Sequence, residues 1–127
     1  MTDIELNAVL KDGFTVMNSS RGHKWISDEP IPIGGLDSGP SPKELLLSSL
    51  ASCKLITVRM YAERKGWVVD RIDVRLKFLE QAEKTIIEKS ISFSGDLDEA
   101  QTSRLTDISG RCPIVKMLSN SIEFKIV

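Results

Sequence analysis

The sequence has few of the residues that build metal centres and disulfide frameworks. Its 127 residues include only two cysteines and one histidine. Two cysteines cannot form a network of disulfide bonds, and a single histidine leaves a zinc site short of its usual ligands. The chain also lacks a GxGxxG or phosphate-loop motif, so a nucleotide cofactor gains no support. We therefore expect neither a disulfide scaffold nor a metal centre.

A dominant charge and a long apolar run are missing as well. The 17 basic and 18 acidic residues leave a net charge of −1, whereas nucleic acid favours a concentrated basic surface. No apolar run reaches the roughly 18–20 residues of a bilayer span. Residues 1–5 show neither the basic nor the apolar region of a signal peptide. We expect a cytoplasmic protein with no nucleic-acid and no membrane partner.

The composition is that of a folded chain, with 41% hydrophobic and 28% charged residues. The length suits one domain over residues 1–127. Period-two alternation predicts strands, and apolar runs with caps predict helices. The predicted strands cover about 4–10, 14–19, 23–27, 71–78, 85–94 and 122–126, and the predicted helices about 42–65, 98–109 and 113–118. This order, β-β-β-α-β-β-α-α-β, indicates an α+β domain.

The first predicted helix has a strong start signal and an unusual composition. Ser41 can cap it, Pro42 suits its first position, and Glu44 completes a capping box. Its middle is apolar on nearly every face, and the only charges between residues 45 and 60 are Lys54 and Arg59. Such a helix is expected to be buried all round. One sheet covers one side only, so we expect an intertwined homodimer.

The two cysteines are the candidates for chemistry. Cys53 lies in the apolar helix, where most thiols are inert core residues. A reactive Cys53 would need a cation such as Arg21 or Arg111 to hold a thiolate. Cys112 precedes Pro113 and should begin a short helix, where it is either a plain cap or an activated thiol. The residues expected on one stripe with Cys53 are Leu46, Leu50, Thr57 and Met60.

Three segments, read together, resemble the OsmC/Ohr family of peroxide-reducing proteins. Residues 21–28 (RGHKWISD) are similar to the family's arginine-bearing strand and loop before a serine–aspartate pair. The glycine pair at 34–35 and residues 41–53 (SPKELLLSSLASC) are similar to its prolyl helix start and mid-helix cysteine. Residues 111–115 (RCPIV) are similar to its second cysteine motif. The predicted element order fits this family as well.

The resemblance implies an antiparallel sheet wrapped around a long central helix in an intertwined homodimer. It also implies a thiol peroxidase that needs no cofactor. Cys53 would attack an organic hydroperoxide, perform the same reaction on hydrogen peroxide, and become a sulfenic acid. Cys112 would then form a Cys53–Cys112 disulfide, which an external dithiol reduces. Arg21 would stabilise the thiolate and the charge on the leaving oxygen.

The sequence departs from the family pattern at one position. In the hydroperoxide-resistance members a glutamate lies ten residues before the mid-helix cysteine, where this chain has Lys43. Glu44 is its neighbour, and a shift of one residue turns a helical side chain by about 100°. Either Glu44 still reaches the arginine, or it only caps the helix and Lys43 alters the charge of the pocket.

Two other functions remain open from the sequence. The displaced glutamate and the apolar side chains Leu46, Leu50 and Met60 also suit a module that binds a small apolar ligand or senses redox state. A structural dimer with two inert thiols is the third hypothesis.

Overall fold

A computed structural model describes residues 3–127, so Met1 and Thr2 of the segment inspected for a signal peptide lie outside it. The described chain forms five strands, one short 3-10 turn and three α-helices. In order these are β1 (Asn7–Leu10), β2 (Val16–Ser20), β3 (His23–Ser27), the 3-10 turn (Ile31–Ile33), α1 (Pro42–Lys65), β4 (Arg71–Gln81), β5 (Lys84–Ser94), α2 (Glu99–Ser109) and α3 (Pro113–Ser119). The predicted α+β order is confirmed through α3.

The predicted closing strand over residues 122–126 is wrong for this chain. Residues 121–127 form no regular secondary structure, and Phe124 is 90% exposed. The alternation of apolar residues there is real, but a strand forms only where a second strand accepts its backbone hydrogen bonds. Among residues 3–127 no strand pairs with this segment.

The chain divides into two compact units, Met1–Leu46 and Leu47–Val127. The first contains an antiparallel sheet in the order β1-β2-β3. The predicted turn after β1 is present: Gly13 has φ +57°, and the Thr15 N–H donates to the Asp12 carbonyl at 3.0 Å. Between β2 and β3, Arg21 itself adopts a left-handed conformation, with φ +51°. Arg21 therefore lies in an exposed turn rather than in a strand.

The long loop between β3 and α1 is organised by the buried side chain of Asp28. Its carboxylate accepts hydrogen bonds from the Thr15 hydroxyl, the Ser38 hydroxyl and the Glu29 backbone N–H. Gly35 passes close to the same cluster, since a Cβ atom there would lie 1.9 Å from the Glu29 carbonyl oxygen. The loop is thus a packed structure rather than a loose connection.

The second unit contains a β4–β5 hairpin and its own core. The hairpin is antiparallel, with Arg71 opposite Ser94 and Gln81 opposite Lys84. The strands thus form two sheets, not the single sheet expected from the sequence. The core consists of buried side chains from α1, α2 and the segment before β4. These are Val58, Ala62, Val69, Leu105 and Ile108.

Helix α1 is buried along one stripe of the single chain, and the expected burial of its other faces against a partner subunit stays a prediction. The buried stripe follows the four-residue spacing of one helix face: Leu50, Lys54, Val58 and Ala62. Ile56 and Met60, on other faces, are 55% and 60% exposed. The elements of the described chain cover one side of the helix, which leaves its remaining apolar residues uncovered.

The expectation that no segment is long and apolar enough to cross a bilayer is wrong for helix α1. By length and composition its 24 residues meet that criterion, although polar residues interrupt every apolar run. It is the one such helix among residues 3–127. Core helices of soluble proteins meet the same criterion, so this is weak evidence for a membrane span.

Candidate thiol site

Cys53 lies in the middle of α1, as the sequence predicts, and is a half-buried free thiol. Its expected companions are arranged differently. Leu50 is buried, but Leu46 and Met60 are exposed. The buried stripe includes the next residue in the chain, Lys54. Cys53 therefore lies at the border between the buried stripe and the uncovered faces of α1.

Cys112 occupies the N-cap position of α3, immediately before Pro113, which confirms the predicted placement. Its backbone is extended, with φ −73° and ψ +144°, and its side chain makes no capping hydrogen bond. The residue is fully buried and its thiol is free. The Cys112 carbonyl accepts the Lys116 N–H at 3.3 Å, so the backbone rather than the sulfur starts the helix. The thiol is left for other interactions.

Lys54 is the feature of this site that the sequence analysis did not single out. It is only 5% exposed, and its Nζ donates a 3.2 Å hydrogen bond to the Ser109 carbonyl oxygen at the end of α2. Cys112 follows Ser109 by three residues. The buried ammonium therefore lies against the turn that carries Cys112. The available signal was a lone lysine within an apolar helix, directly after the cysteine.

Four influences act on the pKa of Lys54, and two of them come from the cysteines. Burial lowers the pKa of Lys54, and the positive charge of Lys89 lowers it further. Cys112 and Cys53 act in the opposite direction, because a thiolate at either position raises the lysine pKa. Among residues 3–127 Lys54 forms no salt bridge with a carboxylate. The two thiols are thus the groups that can become its counter-ions.

A second ammonium approaches the same turn from β5. A Cβ atom placed on Gly110 would lie 3.6 Å from the Nζ of Lys89. Lys89 is exposed, whereas Lys54 is buried. The turn between α2 and α3 is thus flanked by one buried and one exposed ammonium group.

Arg111, one of the two cations considered for the cysteines, has a different partner. Its guanidinium forms a 2.8 Å salt bridge with Asp107, one turn earlier on α2. Both side chains are more than half exposed. The Arg111 guanidinium therefore pairs with an exposed residue of α2. The buried cation, which contacts the segment before Cys112, is Lys54.

Glu44 forms the capping box that the sequence predicts. Its Oε1 accepts the Ser41 N–H at 2.9 Å, and its own N–H donates to the Ser41 hydroxyl at 3.2 Å. The backbone and side-chain hydrogen bonds from Ser41 lower the pKa of Glu44. Among residues 3–127 Glu44 makes no ion pair with Arg21. The structure thus places Glu44 as a cap.

Arg21 lines a shallow groove in the first unit together with Glu5, His23 and Trp25. Cys53 belongs to the second unit, so the role of Arg21 toward that thiol stays a prediction. Within residues 3–127, no group of three or more His, Cys, Asp and Glu side chains is arranged to hold a metal ion. The candidate reactive groups of the second unit are two free thiols and one buried ammonium.

Known proteins similar to this chain share its fold. An osmotic stress induced and detoxification response protein from Psychrobacter arcticus 273-4 is 20% identical with a TM-score of 0.77, over 92% of this chain and 88% of that one. An organic hydroperoxide resistance protein OsmC from Legionella pneumophila is 16% identical with a TM-score of 0.69, over 93% and 90%. The organic hydroperoxide resistance protein OhrB of Bacillus subtilis is 17% identical with a TM-score of 0.65, over 91% and 90%.

The family comparison covers the whole of the second unit and the last part of the loop before α1. A comparison with curated proteins gives no match. The family described as OsmC-like protein matches residues 35–127, which include α1, both cysteines and Lys54. The chain therefore belongs to the OsmC-like protein family.

Proposed function

We propose that this protein is a thiol peroxidase that reduces organic hydroperoxides, and hydrogen peroxide by the same chemistry. The observation that carries the proposal is the pair of free thiols in the second unit, both electrostatic neighbours of the buried Lys54. Family membership supports it, because proteins with similar structures are named organic hydroperoxide resistance proteins.

The unequal burial of the thiols supports the order of their roles. Cys53 is half-buried and within reach of a small molecule, whereas Cys112 is fully buried and shielded from peroxide. The Cys53 thiolate attacks the peroxide oxygen, the O–O bond breaks, and the alcohol leaves after taking up a proton. Cys53 becomes a sulfenic acid. Cys112 then forms the Cys53–Cys112 disulfide with loss of water, and an external dithiol reduces that disulfide.

Arg21 and Glu44 enter the proposal in different ways. Arg21 would stabilise the Cys53 thiolate and the leaving oxygen, as the family resemblance implies. Glu44 is held by Ser41 in the capping box, so it supports the start of α1 and reaches the arginine only if this cap opens. We therefore assign Glu44 a weaker effect on turnover than Arg21.

We also propose that one domain over residues 1–127 works as an intertwined homodimer in the cytoplasm. Uncovered apolar side chains support the dimer: Met60 and Ile56 on α1, and Phe124 and Ile126 in the C-terminal segment. Monomers seldom expose large contiguous apolar surfaces, because burial against a partner lowers their free energy.

The direct test is peroxide consumption with a dithiol reductant. Cys53→Ser should abolish consumption of an organic hydroperoxide, and Ser52→Ala, an exposed neighbour on the same helix, should leave it intact. Mass spectrometry after one equivalent of hydroperoxide should show the Cys53–Cys112 disulfide in the wild-type protein. Unchanged consumption by Cys53→Ser, or two free thiols after oxidation, would exclude the proposal.

A second candidate function is binding of a small apolar ligand or redox sensing without turnover. It is favoured by a surface groove beside α1 that includes Leu55, Ile56, Met60 and Ile72. The double variant Cys53→Ser, Cys112→Ser separates the two functions. Retained binding of anilinonaphthalene sulfonate by a protein whose wild type shows no turnover would favour the binding module.

A further inference from the structure

We propose that the C-terminal end of α1 carries a second ligand site, where Arg64 and Lys65 bind the phosphate group of a small molecule beside Tyr61. The inference uses neither thiol and is independent of the proposed peroxidase function. Its structural basis is a group of cationic side chains from two helices of the second unit, which converge on the single tyrosine of the chain.

Three cationic side chains approach the ring of Tyr61. The Cζ of Arg104 lies 5.5 Å from the ring centroid, the Nζ of Lys65 5.7 Å, and the Cζ of Arg64 6.0 Å. A significant contact between a cation and an aromatic ring occurs roughly once per 70–80 residues. Three such contacts with one ring, in a chain of 127 residues, are therefore a local concentration of positive charge.

Neighbouring carboxylates do not balance this charge. Asp107 is shared between two guanidinium groups, because it pairs with Arg104 at 3.3 Å and with Arg111 at 2.8 Å. Among residues 3–127 neither Arg64 nor Lys65 forms a salt bridge. Cations that lie within 6.0 Å of the same ring centroid are close enough to repel one another at physiological salt. A bound anion would relieve that repulsion.

The phenol of Tyr61 responds to these surroundings. Arg104 Nε donates a 3.0 Å hydrogen bond to the Tyr61 hydroxyl oxygen. This hydrogen bond lowers the pKa of Tyr61, and the positive charges of Arg104, Lys65 and Arg111 lower it further, whereas burial opposes them. The surroundings of the ring therefore favour negative charge.

The space for a ligand is a surface cavity of about 340 Å³ lined by Tyr61, Arg64 and Lys65. This volume lies near the lower end of the range for small-molecule sites. The tyrosine forms a fixed wall, because its ring packs edge-on against Trp67 with 5.7 Å between the centroids, and both rings pack against the core. Glu63 lines a different groove, so within the described chain no carboxylate lines this cavity.

The two cations without a carboxylate partner match a phosphate dianion. A phosphomonoester carries a charge of about −1.5 to −2 at pH 7 and has three strong acceptor oxygens. The guanidinium of Arg64 can donate to two of these oxygens at once, and the ammonium of Lys65 supplies a compact charge for the third. A carboxylate would neutralise only one of the two cations.

The first test uses Tyr61 as the reporter of binding. Because it is the only tyrosine in the chain, the ultraviolet absorbance of its phenolate gives its titration in the unmodified protein. Inorganic phosphate should raise the pKa of Tyr61 above its value in sodium chloride of the same ionic strength. The physical reason is that a bound dianion offsets the positive charges that lower this pKa.

The second test measures affinity by calorimetric titration with inorganic phosphate at low salt. Arg64→Gln and Lys65→Gln should each weaken binding about tenfold, the effect of losing one charge-assisted hydrogen bond. Both side chains are exposed, so neither substitution disturbs the core. Lys77→Gln, at an exposed position of β4, makes the same charge change elsewhere and should leave the affinity unchanged.

Three results would overturn the inference. One is a Tyr61 pKa that is the same in phosphate and in chloride, and another is equal phosphate affinity in the wild type and in Arg64→Gln. The third is binding to vesicles that contain phosphatidic acid without binding of inorganic phosphate, which would indicate a membrane surface instead of a small-molecule site. No measurement depends on peroxide consumption, so failure of the proposed function would leave this inference standing.

Discussion

The Ser38 hydroxyl donates a hydrogen bond to the Asp28 carboxylate across the long loop that precedes α1. Asp28 also accepts from Thr15 on the preceding segment and from the Glu29 backbone. One buried carboxylate thus holds three parts of the first unit together. Buried carboxylates are tolerated in proteins when several donors satisfy them, so the loop depends on this single side chain.

Replacing Asp28 should make the protein less stable in a pH-dependent way. The Ser38 hydrogen bond, aided by those from Glu29 and Thr15, lowers the pKa of Asp28 far below its ordinary value, and burial opposes this only partly. A lowered pKa in the folded state means that the stabilisation is complete above the unfolded-state pKa and is lost as pH falls below it. The difference between the urea midpoints of wild type and Asp28→Asn should therefore be largest near neutral pH, begin to shrink below about pH 4, and continue to shrink as the pH falls toward the lowered folded-state pKa. A constant difference across pH would contradict the assignment.

Gly35→Ala should destabilise the same loop through crowding. An added Cβ atom would lie 1.9 Å from the Glu29 carbonyl oxygen and 2.9 Å from the Asp28 carboxylate, so the backbone must move. We expect a loss of about 1–3 kcal/mol in the free energy of unfolding, the usual cost of overpacking. Gly110→Ala is the control, because its nearest neighbour would lie at 3.4 Å and its φ is −78°. Equal denaturation midpoints for the two variants would show that the loop adapts freely.

Leu105→Ala should destabilise the second unit. Leu105 is completely buried in the core that α2 shares with α1. Removing its side chain leaves a cavity and should lower the free energy of unfolding by about 2–5 kcal/mol. Leu36→Ala, at a 64% exposed position, should change it little. Chemical denaturation followed by circular dichroism measures both, and a small loss for Leu105→Ala would mean that this core repacks.

Cys112→Ser should separate the first oxidation from turnover. Cys53 remains available to attack peroxide, so one equivalent of hydroperoxide should still be consumed per active thiol. Without the second thiol the Cys53 sulfenic acid should accumulate and react with a sulfenic-acid trap such as dimedone. Sustained consumption with a dithiol should fall strongly, because no second thiol of the chain can form the disulfide that the dithiol reduces. Full turnover without Cys112 would remove its assigned role.

The proposed homodimer predicts a concentration-dependent particle mass. Sedimentation or light scattering should give twice the 14.1 kDa chain mass. Ile126→Asp should weaken the dimer, because this side chain is fully uncovered in the single chain and a charge there could not be buried against a partner. Glu123→Asp, in the same segment, is the conservative control. A monomer at all concentrations would exclude the dimer.

Local signals in the sequence were sufficient for most elements. Ser41, Pro42 and Glu44 predict the start of α1, and the structure begins that helix at Pro42 with both capping-box bonds formed. Cys112 and Pro113 likewise predict the start of α3. These signals work because a capping residue satisfies backbone groups only a few positions away.

The failures concern interactions with distant or separate parts of the protein. Alternation at Ile122, Phe124 and Ile126 shows that one face is apolar, but pairing requires a neighbouring strand that local sequence does not specify. In the same way, the apolar composition of α1 does not show which face is covered. The structure buries the face that carries Lys54 and leaves Ile56 and Met60 uncovered.

The scarcity of cysteine and histidine in the sequence singled out the two thiols as the candidates for chemistry. The order of the motifs indicated the OsmC-like family, and the family match over residues 35–127 established it. Tertiary structure decided which cation lies near the thiols. Arg111 was adjacent in sequence but pairs with Asp107, whereas Lys54 reaches Ser109 from another helix. Electrostatic interactions depend on the distance between charged groups and on how deeply they are buried, and the sequence alone specifies neither quantity.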